Sequence, residues 1–488
     1  MNDRTPQQDV SIIPLLAKDQ YRPLDNLRSQ LFFLVPTRLD EDVLQTALET
    51  LIRDHLPILG ARIQPTGLGN ALEYHLPRSF HADYCLFGWS SSTVNTPFSV
   101  VTLLAEQTQT DAAITWGTPT PELEKLWTLA NWPTERKHEK PDCPLLLVHL
   151  THYTDYTVVG TNLPHAVADQ MGYASMIEAW LDLVQNKTPT PFLTMEQNLS
   201  MFETSSKFSD EELRTKGQYR LKSLFERIRV IISHAVEVSW EQEEERRMLF
   251  LSEESVSRLR GSYRESVRQK YGPESPSLSS SDVITGILTK LRYFNLQKPT
   301  FVSLSGTVNA RGRHPDLPAG QPFLHNALGY SDARFHIGPD TTAAEIAYRN
   351  RLAVNEAIKL ENIERCFAVH EGIFRGGYSP HIGEPGDTTF AVTNWTGAWR
   401  NIDFTVAADP RGPRNSAASA EAKSSEDGSR QSTIVLGISM ERSVGVLRFS
   451  TQMMSRAAGG YWCDFSCSKK NMAAMDELLR RDPRLETI

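Results

Sequence analysis

The chain of 488 residues carries 51 basic and 59 acidic side chains, a net charge of −8, with 40% apolar and 23% charged residues. Such a composition fits a globular protein of roughly two to four domains and excludes a disordered, fibrous or disulfide-stapled chain. The acidic balance argues against broad nucleic-acid binding, which needs phosphate-neutralising Lys and Arg, but leaves room for a small anion in a local basic pocket.

Cys85, Cys143, Cys366, Cys463 and Cys467 are few, odd in number and scattered, which fits a reducing compartment. Cys463 and Cys467 stand four apart, but no second pair completes a metal site, so all five read as structural thiols. The first ten residues lack an apolar signal core. The longest apolar runs, such as Leu31–Val35 and Ser99–Ala105, fall far short of the roughly 20 residues that span a bilayer. The expected location is the cytoplasm.

In chain order, Leu31–Pro36 is apolar and reads as a buried strand. Asp40 caps a helix whose apolar positions Val43, Leu44, Ala47, Leu48, Leu51 and Ile52 share a stripe ended by Pro57. Pro144–Leu150 and Tyr156–Asn162 read as neighbouring strands across the polar turn Thr151–Asp155, and Met171–Val184 as the next helix. Residues 186–208 are polar and proline-bearing, a crossover. Ser209 and Glu212 form a capping-box pattern for one long helix reaching about Ser239. The charge cluster Glu241–Arg247 then reads as a solvated helix end or linker in preference to an interaction patch.

A second region starts near Leu249. Its elements are a helix from Asp282 to about Asn295 after Ser279–Ser281, a strand Thr300–Asn309 and a helical stretch 340–362. Arg411–Gln431 reads as a mobile surface loop, followed by strands at Thr433–Gly437 and Val444–Thr451 and a closing helix Lys470–Arg481. Strands and helices alternate in both halves, so the expected class is α/β with two lobes. The N-terminal lobe runs over 1–200, a crossover helix and linker over 201–248, and the C-terminal lobe over 249–488, with a segment after about 400 crossing back to the first lobe.

His-x-x-x-Asp occurs three times: His138/Asp142, His165/Asp169 and His336/Asp340. The first lies in a charged, proline-bearing stretch and the third in a Gly-Pro turn. Only His165 follows an apolar strand and precedes an apolar helix, with small residues Ala166, Val167 and Ala168 between. A neutral imidazole at a strand end can take a proton from an alcohol near pH 7. Spacing alone equally allows a hydrogen-bonded interior histidine, and more weakly a metal ligand. Asp169 could pair with His165 or fix the loop through an arginine.

Several further segments stand in order. They are Ser279-Ser-Ser-Asp282-Val-Ile-Thr, Val308-Asn-Ala-Arg311-Gly-Arg313, Thr393-Asn-Trp395 and Ile402-Asp403-Phe404. Together with His165-Ala-Val-Ala-Asp169 they resemble the BAHD superfamily of acyl-CoA-dependent acyltransferases, nearest its fungal secondary-metabolism, trichothecene acetyltransferase-like branch. The resemblance covers nearly the whole chain. It implies two condensation-domain-like (chloramphenicol acetyltransferase-like) lobes with an active-site channel between them. It also implies a monomer that takes acyl-CoA as co-substrate and a small-molecule alcohol as acceptor, with no bound cofactor or metal. By the resemblance, His165 is the general base, Thr393 donates to the oxyanion, Trp395 shapes the pocket, Asp169 pairs with Arg311, and Asp403 is structural.

Two departures stand out: Gln170 replaces the glycine usual after the catalytic Asp, and Asp403-Phe404-Thr405 replaces Asp-Phe-Gly. Leu163-Pro164 precede His165 where peptide-synthetase condensation domains carry a second histidine, which favours a stand-alone enzyme. There is no Gly-x-Ser-x-Gly elbow. The same fold could instead host amide formation, acyl transfer from a carrier protein or a rearrangement without acyl donor, or serve as a non-catalytic metabolite-binding homologue. Gly67-Leu-Gly69 reads as a turn. Asn198-Leu-Ser200 matches a glycosylation acceptor, which matters only on secretion. Trp399 and Trp116 are candidates for the acceptor pocket or for plain packing, and Arg292, Arg311 and Arg313 for CoA phosphates.

Overall fold

A computed structural model describes residues 9–66, 71–98, 112–194, 207–217, 219–380, 383–410, 433–438 and 447–488. The segments 67–69, 99–105, 198–200 and 411–431 singled out above lie outside the described residues.

Among the described residues the strands form three sheets. The five-stranded sheet runs in the order Ile434–Ile438, Arg28–Val35, Thr157–Pro164, Leu147–His152, Gly88–Thr93. The seven-stranded sheet runs Leu328–Ile337, Thr300–Asn309, Thr388–Asn394, Ser450–Ala457, Gly460–Ser468, Glu244–Ser252, Ile114–Pro119. A small sheet joins Val10–Pro14, Leu72–Pro77 and Arg62–Pro65. Each large sheet thus borrows an outer strand from the other half of the chain. Ile434–Ile438 lies antiparallel to Arg28–Val35, with Ile434 opposite Leu34, and Ile114 pairs with Leu251. The architecture is mixed α/β, built on two large sheets.

Every residue of Arg28–Val35 and of Thr157–Pro164 is buried. The one charged group, Arg28, is matched there by the Asn162 side chain at 2.6 Å, the Leu145 carbonyl at 2.8 Å and the Glu139 carboxylate. Helix Gln170–Val184 covers this sheet, and its Trp180 donates from Nε1 to the Leu44 carbonyl at 2.8 Å on the capped helix Glu41–Thr50. That helix runs on through a π turn Leu51–His55 and stops ahead of Pro57. No helix of the described residues is long and apolar enough to cross a membrane.

Four sequence expectations need correction. The capping box at Ser209 opens a helix of six residues, Asp210–Thr215. The chain then turns at Gly217, whose φ of 78° is left-handed, and a second capping box at Ser223 opens Leu224–Trp240. The cluster Glu241–Arg247 is not a solvated end, because strand Glu244–Ser252 begins inside it. Arg246 is buried on Asp464 (2.8 Å) and Glu124 (2.7 Å). The stretch 340–362 divides into Ala343–Ala357 and the start of Leu360–Gly376. The strand placed at 444–451 is Ser450–Ala457, and 441–446 lie outside the described residues.

Candidate active site

His165 stands at the end of strand Thr157–Pro164. Its backbone N–H donates to the Leu27 carbonyl at 2.8 Å, and Val167 N–H closes the turn on Pro164 at 2.9 Å. Ala166, Val167 and Ala168 are fully buried, so the turn has room only for small or compact side chains. Asp169 then caps helix Gln170–Val184 by accepting from Gly172 N–H at 2.9 Å. A Cβ on Gly172 would lie 1.7 Å from the Leu324 carbonyl oxygen, so this helix can approach segment 323–327 only with glycine there.

That segment clamps the loop. Asp169 Oδ2 accepts from Ala327 N–H at 2.8 Å and from Arg311 Nη1 at 3.0 Å. Arg311 also donates to the carbonyls of Phe323 (3.0 Å) and His325 (2.6 Å). The His325 ring meets the Val167 carbonyl at 3.1 Å, and because a carbonyl only accepts, Nδ1 carries the proton there. Asp169 therefore has its oxygens engaged by Gly172, Ala327 and Arg311. Of the two roles that spacing allowed it, the geometry has the arginine pairing.

Burial of Asp169 favours the neutral acid, but the Arg311 charge and the hydrogen bonds from Arg311, Ala327 and Gly172 outweigh it and hold the carboxyl below its usual range. His165 is 8% exposed. Burial pushes its imidazole below the usual histidine value, against the opposing pull of its own backbone carbonyl, Asp169, Asn326 and Asp19. The ring is thus neutral at pH 7, the state a base requires.

His165 and Asp169 line a cavity of about 490 Å³ together with Thr393, Asn394 and Trp395. Thr393 lies on strand Thr388–Asn394, opposite Gln452 on Ser450–Ala457, and Trp395 N–H donates to the Met453 carbonyl at 2.8 Å. The end of strand Thr300–Asn309, from Ser305 to Asn309, runs along the same wall. Tyr21 and Tyr330 also line it, their hydroxyls 2.9 Å apart.

Other sequence candidates lie elsewhere. Asp403 accepts from Thr405 N–H (3.0 Å) and its hydroxyl (2.7 Å), capping the turn Phe404–Ala407. Thr405 thus satisfies the carboxylate in the place of the expected glycine. Trp399 is buried, edge-on to Phe33 at 5.7 Å, and Trp116 packs by Phe465 on the far sheet edge. Neither lines the cavity. Arg292 is buried against Glu237 and the Arg448 carbonyl, which removes it as a phosphate ligand, and exposed Arg313 donates to the Asn309 carbonyl at 2.6 Å. Asp282 closes the capping box with Ser279 at the start of helix Ser280–Tyr293 and binds Arg351 and Asn350. His138 is exposed in a short turn, and His336 is exposed on Leu328–Ile337 beside Phe301. All five cysteines are free, with burial raising Cys467 to about 12, and no metal-ligand cluster is present among the described residues.

Sequence reasoning missed Lys18, Asp19, His325 and Asn326, which surround the His165 loop. No local pattern marks them, since Asp19 and Asn326 meet across 307 positions.

No family model matches the chain. It is 26% identical over 423 residues to "Transcriptional regulator calD" of Penicillium decumbens, covering 81% of this chain and 82% of that one. It is 25% identical over 391 residues to "Acetyltransferase adrJ" of Penicillium roqueforti, covering 76% of each. Its fold matches the crystal structure of F. sporotrichioides TRI101 complexed with coenzyme A and T-2 with a TM-score of 0.64 at 13% identity, over 96% of this chain and 98% of that one. Sequence kinship and fold agree with the ordered motifs: the chain is similar to acetyltransferases of fungal secondary metabolism and shares the fold of TRI101.

Proposed function

We propose that the chain transfers an acyl group, acetyl by analogy with its named relatives, from acyl-CoA to a hydroxyl of a small secondary metabolite. The observation that carries this reading is a single cavity that holds a neutral, buried His165 and Thr393 on separate elements, with Asp169 fully engaged elsewhere. The coenzyme A complex of TRI101 supports the donor. A volume of about 490 Å³ falls in the range that suits a drug-sized acceptor.

His165 takes the proton of the acceptor hydroxyl as its oxygen attacks the thioester carbonyl carbon. The Thr393 hydroxyl donates to the tetrahedral oxyanion. Collapse expels the CoA thiolate, which recovers the proton from the imidazolium, so no covalent enzyme intermediate forms. Arg311 holds Asp169 and the loop. Trp395 shapes the pocket wall, and Asp403 acts at a distance as a structural cap. Five free thiols favour the cytoplasm.

Purified protein given acetyl-CoA and a panel of hydroxylated terpenoids and polyketides should release free thiol in step with ester formation. His165→Ala should lower the rate by roughly 10²–10⁴-fold with an unchanged melting temperature. Full retained activity sinks the base assignment. The calD name favours a second reading, a metabolite-binding homologue without turnover. Saturable acceptor binding without thiol release from any acyl-CoA would select it.

A further inference from the structure

Tyr21 and Tyr330 come from opposite halves of the chain and meet at the cavity wall, their hydroxyls 2.9 Å apart. Tyr21 is buried, and its ring is stacked on His370 at 4.5 Å. Tyr330 is partly exposed, with Tyr219 against its ring at 4.8 Å and His370 edge-on at 5.6 Å. Packing thus holds both phenols in place. Among the described residues, neither oxygen makes a hydrogen bond besides the one that joins them. A bond between two hydroxyls uses one of their two protons. Whichever oxygen accepts keeps its own O–H, and that donor stands at a cavity wall with no acceptor on the chain. A polar group so placed is met by water or by a ligand.

The surroundings set the kind of ligand. Burial raises both phenols above their usual range, Tyr330 to about 12, so both keep their protons. Burial also brings His370 down to about 3 and Cys366 up to about 12, so the side chains behind the pair are neutral. Among the described residues no lysine or arginine lines the cavity, and its one carboxylate, Asp169, is engaged by Arg311. An anion would find no counter-ion there and a cation no free carboxylate, so a charged group would lose its water uncompensated. An uncharged oxygen meets the O–H without that cost. Its place relative to the chemistry follows from the sheet. Tyr330 is the register partner of Thr307, and Gly306 pairs with Val392 one position before Thr307 and Thr393. Tyr330 and Thr393 therefore lie two strands apart, about 10 Å between backbones.

We propose that the Tyr21–Tyr330 hydroxyl pair is a recognition site for the acceptor, donating a hydrogen bond to an uncharged oxygen, a ketone or ether, at the end of the metabolite remote from the reacting hydroxyl. The inference rests on the proposed function and narrows its acceptor to a fused-ring alcohol that carries a second oxygen.

The test is calorimetric titration of the full chain with matched pairs of probes. Each pair is a hydroxyketone and the alcohol lacking the ketone, on decalin, perhydrophenanthrene and androstane skeletons (epiandrosterone and androstanol for the last). In at least one pair the wild type should bind the hydroxyketone about 10-fold more tightly, the worth of one hydrogen bond. Tyr21→Phe/Tyr330→Phe removes both donors and should bind the two members alike, with affinity for the plain alcohol unchanged. Each single variant keeps one hydroxyl without its partner to aim it and should fall between; the singles carry the test if the double variant does not fold. A wild type without preference for the hydroxyketone in any pair overturns the proposal. So does a variant that melts earlier yet keeps the preference, since the pair would then only tie the two halves of the chain together. Binding needs no turnover. A preference without thiol release from acetyl-CoA would count against the proposed function alone, and thiol release without a preference against this site alone.

Discussion

Replacing Asp169 by Asn keeps an oxygen for the Gly172 N–H but removes the negative charge opposite Arg311. Asp169 is 1% exposed and the Arg311 side chain 10%, so the arginine would be left with its charge largely desolvated. Breaking one partner of such a pair costs about 3–5 kcal/mol. Chemical denaturation at pH 7 should show that loss for Asp169→Asn, and a cost below about 1 kcal/mol would mean that Arg311 is satisfied by its carbonyl partners alone. The pH dependence has a definite sign. The Asp169 carboxyl is held below its usual 3.8, so its contribution is complete above that value and is lost only as pH falls through the lower folded value. Arg311→Lys should also destabilise the loop, because a single ammonium cannot span Asp169 and the carbonyls of Phe323 and His325.

Leu224–Trp240 exists as a separate helix because Ser223 and Glu226 satisfy its first turn reciprocally. Ser223→Ala should cost about 1 kcal/mol in denaturant melts while Ser209→Ala, on a helix of six residues, should cost less. Equal effects would mean that packing, not capping, sets the break. The sequence hides this boundary because two capping boxes fourteen residues apart read as one start followed by a helical interior. Glu244–Ser252 is hidden for a different reason. Its Arg246 and Arg247 look solvated in any local window, yet Asp464, Glu124 and Asp476 meet them from distant elements. Thr300–Asn309 is legible to the residue because its β-branched residues Thr300, Val302, Thr307 and Val308, with Phe301 and Leu304, need no distant partner to identify a strand. The His165 loop is legible because an apolar strand, small residues and an N-capping Asp are all local signals. Asn326 and Asp19 are not, since their roles exist only after the two halves of the chain meet.

At the scale of the whole molecule, several histidines are buried neutral and must take up a proton as the protein unfolds in acid. Burial brings His325 to about 4 and His370 to about 3, and lowers His165, His149 and His152 as well. A histidine with a lowered folded value contributes fully above about 6.5 and loses that contribution as pH falls toward the folded value. For His325 alone the loss amounts to about 3 kcal/mol. Asp332 acts in the opposite sense. It is 6% exposed with Oδ1 unpartnered, and burial raises it to about 7, with Glu384 and Asp387 adding to the rise and Lys222 and Arg334 opposing it. Its ionised form is a cost to the fold at high pH, relieved by protonation between about 7 and 3.8. The histidines outnumber it, so the melting temperature should fall from pH 7 to pH 5. Asp332→Asn removes the opposing group, so it should raise the melting temperature at pH 8, raise it by clearly less at pH 5, where much of the cost is already relieved, and steepen the decline between them. An equal shift at both pH values would show that the Asp332 carboxyl is not raised in the fold, its burial being offset by Lys222 and Arg334.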